Sequence, residues 1–157
     1  MNARMRMDSR PATEEEKEEL LAFMRNDLAD DIDLIMRSLG ITWPEFEQLY
    51  ASRGNVRAIT VGEESVAYCW IERRSRELHL HAIFVRPSER GRGIGTEILR
   101  GLEDEFREEA DVFELGVRMT NRGARSLYER VGFATVSSLD EIGFLLMRKP
   151  LGGEPTE

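Results

Sequence analysis

The sequence predicts an α/β (α+β) fold, with a central mixed, mostly antiparallel sheet of six to seven strands flanked by about four helices. Three observations predict this class. Apolar residues recur at helical spacing through most of the first 50 residues. Three short β-branched runs separated by tight turns follow, which is typical of an antiparallel meander. The remainder alternates strand, glycine loop, helix, strand and helix, an order that favours one parallel pair of strands across a helical crossover.

The composition is that of one globular domain. The chain has 157 residues, of which 41% are hydrophobic and 33% are charged, and this length buries a core without disulfides or metal. We expect one domain over residues 1–150 and a flexible tail over residues 151–157. Cys69 is the only cysteine, which excludes an intramolecular disulfide and favours a cytoplasmic location.

Charge and hydropathy narrow the classes of partner. No run of 18 apolar residues occurs, and the N-terminus lacks the apolar core of a signal peptide, which argues against a membrane partner. The net charge of −8 argues against binding to nucleic acid. Nine acidic and two basic residues lie between positions 14 and 33. This stretch is either a solvated helix face or an acidic wall that attracts a cationic substrate.

Helix start and stop signals organise the N-terminal third. Residues 1–12 form a candidate first strand that ends at Pro11. Thr13 begins a capping box, in which a hydroxyl at the helix N-cap is followed three residues later by a carboxylate, and Thr42 begins a second one. Between them, two apolar stripes at helical spacing lead to Gly40, which is typical of a helix C-terminus.

The rest of the chain contains strands and two helices. The predicted strands of the meander cover residues 56–61, 66–71 and 78–85. A helix follows with its apolar face running from Ile94 to Phe106, and then a strand over residues 112–117. A short helix over residues 121–131 ends at Gly132. Residues 134–149 read as two final strands with a break around 137–140.

A glycine loop, Arg90-Gly91-Arg92-Gly93-Ile94-Gly95, stands between a predicted strand and a predicted helix. Glycines let the backbone approach a ligand closely, and the free amides of a helix N-terminus favour an anion such as pyrophosphate. The spacing differs from the dinucleotide fingerprint and from the Walker loop. The alternative is a glycine turn that only begins a helix.

Two motifs resemble the GNAT superfamily of acetyl-CoA-dependent N-acetyltransferases. The family pattern [Q/R]-x-x-G-x-[G/A] is matched by Arg90, Gly93 and Gly95. The family segment N-x-x-A-x-x-x-Y, followed by G-F, is matched from Asn121 through Tyr128 to Phe133. The resemblance covers residues 78–133 well, and before residue 54 it is only architectural.

The resemblance implies a site for acetyl-CoA. The loop amides bind the pyrophosphate, and the pantetheine arm lies in a gap where the strand ending at Val85 separates from the strand over 112–117. An amide near Phe84 and Val85, where family strands carry a bulge, stabilises the oxyanion. The implied cofactor-binding residues are Ile83, Phe84, Val85, Arg90, Gly91, Arg92, Gly93, Ile94, Gly95, Thr96, Asn121, Ala124 and Tyr128.

Three residues are the candidate catalytic groups. By resemblance, Tyr128 protonates the leaving thiolate, and its reference pKa of about 10 keeps the phenol protonated at neutral pH. His79 and His81 occupy strand positions where relatives often carry glutamate, and a reference pKa of about 6.5 suits a base. The alternatives are a core tyrosine and packed or surface histidines. Glu72 and Tyr68 are weaker candidates for the acceptor side. No metal site is expected, because two histidines alone are a poor zinc site.

Together these features predict an N-acetyltransferase that acts by direct attack of a primary amine on acetyl-CoA. The expected acceptor is a cationic small molecule, a protein lysine or a protein N-terminus, and the expected assembly is a monomer or homodimer. The alternatives are a non-catalytic acetyl-CoA-binding regulatory module and a nucleotide-binding domain that uses the same loop.

Overall fold

The computed structural model describes residues 6–152, and within them it contains seven strands and five α-helices. In chain order the elements are β1 Asp8–Pro11, α1 Glu14–Asp27, α2 Ala29–Leu39, α3 Trp43–Ser52, β2 Asn55–Val61, β3 Glu64–Arg74, β4 Glu77–Val85, a 3-10 turn Pro87–Glu89, α4 Ile94–Phe106, β5 Val112–Arg118, α5 Arg122–Val131, β6 Ala134–Leu139 and β7 Phe144–Pro150.

The seven strands form one sheet in the order β1-β2-β3-β4-β5-β7-β6. The pair β4–β5 is parallel, and every other neighbouring pair is antiparallel. The predicted fold class is therefore confirmed. The parallel pair is also where prediction placed it, because α4 provides the crossover that parallel neighbours require.

Helices cover both faces of the sheet. On one face, α4 and α5 pack against the sheet in a core that includes Leu99, Phe113 and Met147; we call this the α4 face. On the other, α1, α2 and α3 pack against the sheet in a core that includes Leu20 and Trp70; we call this the α1 face. Both faces bury apolar side chains, and residues 66–71 of β3 accordingly form a continuous buried run.

The ends of the first three helices are set by local hydrogen bonds. Both predicted capping boxes form: Thr13 caps α1 with Glu16, and Thr42 caps α3 with Glu45. Gly40 ends α2 with a φ of 70°, a left-handed conformation that glycine adopts without steric cost. The candidate first strand is present as β1, and the part of it before residue 6 lies outside the described residues.

The C-terminal strands differ from the prediction in their boundaries. β6 continues to Leu139, and the turn lies at residues 140–143, so the predicted break at 137–140 is wrong in position. All six residues of β6 are exposed, so burial imposes no apolar alternation that could mark its end. Leu151 is buried and its amide donates to the carbonyl of Asp111. The predicted tail from residue 153 onward lies outside the described residues.

Candidate active site

The parallel strands β4 and β5 separate in the middle of the sheet. They pair only from Glu77 opposite Val112 to Leu80 opposite Leu115. Beyond these four pairs, β4 continues alongside β3, and β5 continues alongside β7. A wedge-shaped gap therefore opens between residues 81–85 and residues 116–118, as the family resemblance implied.

A β-bulge marks the start of this gap. Trp70 pairs with Ala82 and Ile71 pairs with Leu80, so His81 is an extra residue in β4. The bulge reverses the alternation of side chains: Leu78 and Leu80 face the α4 side, and so do residues 83 and 85. The expected bulge near Phe84 and Val85 is thus found at His81. Sequence did not reveal the position, because residues 82–85 are all apolar and no change of polarity marks the reversal.

The glycine loop leaves main-chain amides free. α4 begins at Ile94, and its N-cap, Gly93, has a φ of 77° and provides no side-chain hydrogen bond. The first intrahelical bond in this turn is from the amide of Glu97 to the carbonyl of Gly93. The amides of residues 94–96 therefore have no helical partner. A Cβ built on Gly91 or Gly93 meets no atom within 4 Å, so space for a ligand lies beside these amides.

The two arginines of the loop are engaged locally. Arg90 donates from Nε to the carbonyl of Val85 at 2.9 Å, and its guanidinium lies over the ring of Phe84. Arg92 is paired with Glu89. The main-chain amides of the loop are therefore its principal hydrogen-bond donors for an anion. The charge of Arg92 is already partly neutralised by Glu89.

Helix α5 carries the second motif. Asn121 is its N-cap: the side-chain oxygen accepts from the amide of Ala124 at 3.1 Å. Tyr128 is buried on the α4 face, with its ring 6.0 Å from that of Phe133. Its hydroxyl has no hydrogen-bond partner among residues 6–152. Burial raises the pKa of Tyr128 above its ordinary value, so the phenol is protonated at neutral pH.

The two histidines form two Glu–His pairs on the α1 face. His79 Nδ1 lies 2.9 Å from Glu114 Oε1, and His81 Nε2 lies 2.8 Å from Glu72 Oε1. The imidazole rings are 4.5 Å apart between centroids. The prediction that the two histidines share a face of the strand is therefore confirmed. His81 is also the bulge residue, and it directly follows the last residue of β4 that pairs with β5.

Arginines fix the two carboxylates. Arg148 donates from Nε to Glu114 at 2.8 Å, and Arg74 donates to Glu72 at 3.0 Å. The hydrogen bond from Arg74 is the main cause that lowers the pKa of Glu72, to about 2. At Glu114 burial acts in the opposite direction, but the hydrogen bonds from Arg148 and His79 outweigh it and lower the pKa. Both carboxylates are ionised at neutral pH.

Burial keeps both imidazoles neutral. It lowers the pKa of His79 below 6.5, against the opposing effect of the hydrogen bond that His79 donates to Glu114. It lowers the pKa of His81 to about 4, and the neighbouring His79 contributes to this shift. An ionised carboxylate only accepts hydrogen bonds, so the proton sits on Nδ1 of His79 and on Nε2 of His81. The other nitrogen of each ring keeps its lone pair and can accept a proton.

The candidate acid and the candidate bases lie on opposite faces of the sheet. Tyr128 belongs to the α4 face, whereas His79 and His81 lie on the α1 face beside Trp70. The gap between β4 and β5 is an opening in the sheet between these faces. Of the weaker candidates, Glu72 is part of a pair, and the Tyr68 hydroxyl is bonded to Glu19 and Arg86.

Sequence reasoning missed Glu114 and Arg148. The available signal was an acidic residue within the apolar run of β5. Glu114 is buried in the structure, and a buried carboxylate is seldom unpaired. Arg148 gave no signal, because its role depends on the pairing of β5 with β7. Within the described part of the chain, no group of three or more metal-ligating side chains is arranged to hold a metal ion. No helix described between residues 6 and 152 is long and apolar enough to cross a membrane.

A comparison with family models decides the family. The model of the acetyltransferase (GNAT) family matches residues 14–133. The chain belongs to the GNAT family. The match includes the glycine loop, both histidines and the motif on α5, and it confirms the resemblance drawn from the sequence.

Two curated relatives match part of this GNAT chain. It is 42% identical to the N-alpha-acetyltransferase RimI of Mycobacterium tuberculosis over 79 residues, which are 48% of this chain and 49% of the relative. It is 40% identical to the uncharacterized N-acetyltransferase MJ1207 of Methanocaldococcus jannaschii over 67 residues, which are 41% of this chain and 30% of the relative. The chain thus spans less than half of the length of each of these relatives.

Solved structures share the whole fold of this GNAT chain. The ribosomal-protein-S18-alanine N-acetyltransferase of Escherichia coli superposes with a TM-score of 0.64 at 21% identity, covering 97% of this chain and 99% of that one. The PaiA N-acetyltransferase of Thermoplasma acidophilum, in complex with coenzyme A, gives 0.66 at 13% identity, covering 93% and 99%. At these identities the likeness concerns the fold.

Proposed function

We propose that this chain is an N-acetyltransferase that transfers the acetyl group of acetyl-CoA to an amine by direct attack in a ternary complex. The observation that carries the proposal is the gap between β4 and β5, which opens at the bulge of His81 and lies next to the free amides of α4. Family membership supports the same activity.

The cofactor site in this proposal uses mostly main-chain groups. The amides of residues 94–96, at the N-terminus of a 13-residue helix, bind the pyrophosphate of coenzyme A. The pantetheine arm pairs with the free edge of residues 83–85 of β4 as an added strand would. The residues fit this role, because Gly91 and Gly93 have no side chain to fill the space, and their positive φ favours glycine at both positions.

The acid–base groups act from the two faces of the sheet. As the amine nitrogen forms its bond to the thioester carbonyl, the carbon–sulfur bond breaks and a thiolate leaves. Tyr128, protonated and without another hydrogen-bond partner within residues 6–152, gives its proton to the sulfur and is reprotonated from the amine. His79 or His81 accepts the other proton, which the acceptor ammonium loses before attack.

The two Glu–His pairs favour an α-amino group as the acceptor. An α-ammonium has a reference pKa of about 7.7–8.0, so roughly a tenth of it is already deprotonated at pH 7, whereas a lysine with a pKa of about 10.4 is almost fully charged. Bases whose pKa is lowered below 6.5 suit the first group better. The printed name of the M. tuberculosis relative also refers to N-alpha acetylation.

Matched peptides test the activity and the acceptor class together. One peptide has a free N-terminus and no lysine; the other has the same sequence with an acetylated N-terminus and one lysine. We expect release of coenzyme A thiol and a mass increase of one acetyl group on the first, with kcat/KM at least about 10-fold above the second at pH 7. Acetylation of the lysine peptide alone would contradict the α-amino assignment. Binding of acetyl-CoA without turnover of any amine would instead support a non-catalytic acetyl-CoA-binding module.

A further inference from the structure

Arg125 is a half-buried cation to which the chemistry above assigns no role. It lies in α5, and its Nη1 donates to the main-chain carbonyl of Met119 at 3.0 Å. Its Nε is buried and has no hydrogen-bond partner within residues 6–152. A guanidinium carries five N–H donors and a permanent charge. A single bond to a carbonyl therefore leaves most of its hydrogen-bonding capacity open.

No carboxylate neutralises Arg125 in the part of the chain that the structure describes. Its neighbour at the end of β5, Arg118, is paired with Asp31 at 2.8 Å. Residues 115–128 contain three arginines and no acidic residue, although the chain carries a net charge of −8. A partly buried cation without a counter-ion is costly, so an anionic ligand would offset a cost already present in the fold.

Helical spacing places Arg125 beside Tyr128. Together with Asn121 and Ala124, these residues follow the i, i+3, i+4, i+7 pattern, so all four share one side of α5. Met119, whose carbonyl Arg125 contacts, directly follows β5 at the end where it has separated from β4. The guanidinium thus lies at the Met119 carbonyl, just beyond the end of β5, and on the side of α5 that carries Tyr128.

We propose that Arg125 binds a carboxylate carried by one of the two substrates, next to the reacting thioester. The proposal rests on the proposed function, because it uses the position of Tyr128 at the leaving sulfur. The planar guanidinium matches a carboxylate with two parallel hydrogen bonds. The carboxylate belongs either to the acyl donor, as the free end of a dicarboxylic acyl group, or to the amine acceptor.

Two paired comparisons distinguish these sources. In the donor arm, succinyl-CoA is compared with acetyl-CoA, using one amidated amino acid as the common acceptor. In the acceptor arm, a free amino acid is compared with its amide, using acetyl-CoA as the common donor. In one arm we expect the carboxylate-bearing substrate to have kcat/KM about 10- to 100-fold above its partner, the range for a hydrogen bond between charged groups.

Three variants assign this preference to Arg125. Arg125→Gln keeps a donor for the Met119 carbonyl but removes the charge, and we expect it to abolish the preference in that arm. Arg125→Lys keeps the charge and is expected to restore part of it. Arg130→Gln removes an exposed arginine of the same helix and is expected to keep the preference. Using ratios cancels any general loss from altered folding, and melting temperatures report such a loss directly.

The outcomes separate this inference from the proposed function. Turnover of acetyl-CoA without a carboxylate preference in either arm overturns the role of Arg125 and leaves the acetyltransferase proposal standing. The same holds for a preference that Arg125→Gln leaves intact. If no amine is acetylated, equilibrium binding of succinyl-CoA, acetyl-CoA and the two acceptors is measured instead. Tighter binding of a carboxylate-bearing ligand to the wild type, lost in Arg125→Gln, supports the inference, and equal binding overturns it.

Discussion

At the scale of single residues, the hydroxyl of Tyr128 is the sharpest test of the mechanism. The Tyr128 side chain is largely buried, but its hydroxyl is bonded to no group within residues 6–152, so Tyr128→Phe removes no hydrogen bond of the fold and is expected to leave the melting temperature within a few degrees. A general acid contributes about 100- to 10,000-fold, and we expect kcat to fall by that order. Steady-state kinetics and a thermal melt measure the two effects. Unchanged kcat would remove Tyr128 from the acid role.

Burial lowers the pKa of both histidines, but each histidine has its own carboxylate partner, and that partner raises the pKa of the imidazole that it contacts. The hydrogen bond that His81 donates to Glu72 raises the pKa of His81, and the one that His79 donates to Glu114 raises the pKa of His79. A base must be neutral, so the acidic limb of kcat follows its pKa and is expected below pH 6.5. If His81 is the base, Glu72→Gln lowers that pKa further and shifts the limb to lower pH, while Glu114→Gln does so if His79 is the base.

The pH profile of kcat with saturating acceptor separates these cases. The matched controls are His79→Gln and His81→Gln, of which the one that removes the base also removes the limb. A limb that none of the four variants moves would exclude both histidines, and a chain of water molecules would then carry the proton.

At the scale of elements, the junction between the glycine loop and α4 combines an unusual backbone with a ligand site. Gly93 has a φ of 77° and open space around a built Cβ, so Gly93→Val introduces backbone strain and also fills the approach to the free amides. We expect affinity for acetyl-CoA to fall at least about 10-fold, as hydrogen bonds to a charged phosphate are lost. Gly62→Val is the control, because Gly62 has a φ of 63°, equally open space and a position in the β2–β3 turn.

Isothermal titration with acetyl-CoA measures both glycine variants. The control is expected to lose stability but keep its affinity. Equal losses of affinity in both variants would mean that strain, and not the filled ligand space, explains the effect at Gly93.

Elements that depend on local contacts were predictable, and those that depend on register were not. The two capping boxes and the stop at Gly40 each involve residues close together in sequence, so their spacing was enough. The bulge at His81 adds one residue opposite β3 and keeps the burial alternation of β4 intact. The pattern of apolar residues therefore does not indicate the bulge. The bulge nevertheless determines on which face of the sheet the side chains of residues 82–85 lie.

At the scale of the whole molecule, the candidate site depends on partners far apart in the chain. Glu114 and His79 are 35 positions apart, and Arg148 and Glu114 are 34 apart. The motif residues could be found in the sequence because glycines and the tyrosine keep fixed spacings. The carboxylates that support the histidines, and the unpaired state of Arg125, emerge only when β4, β5, β7 and α5 come together.

The stability of the whole chain should report binding of acetyl-CoA. A ligand at about 100 times its Kd stabilises a protein by roughly 2.7 kcal/mol when it binds only the folded state. For a domain of this size each kcal/mol raises the melting temperature by about 2–4 °C, so we expect a shift of about 5–10 °C. NAD and ATP serve as ligand controls, and Gly93→Val, whose loop is filled, is expected to show little shift. A wild-type melt that acetyl-CoA leaves unchanged would contradict pyrophosphate binding at the α4 amides.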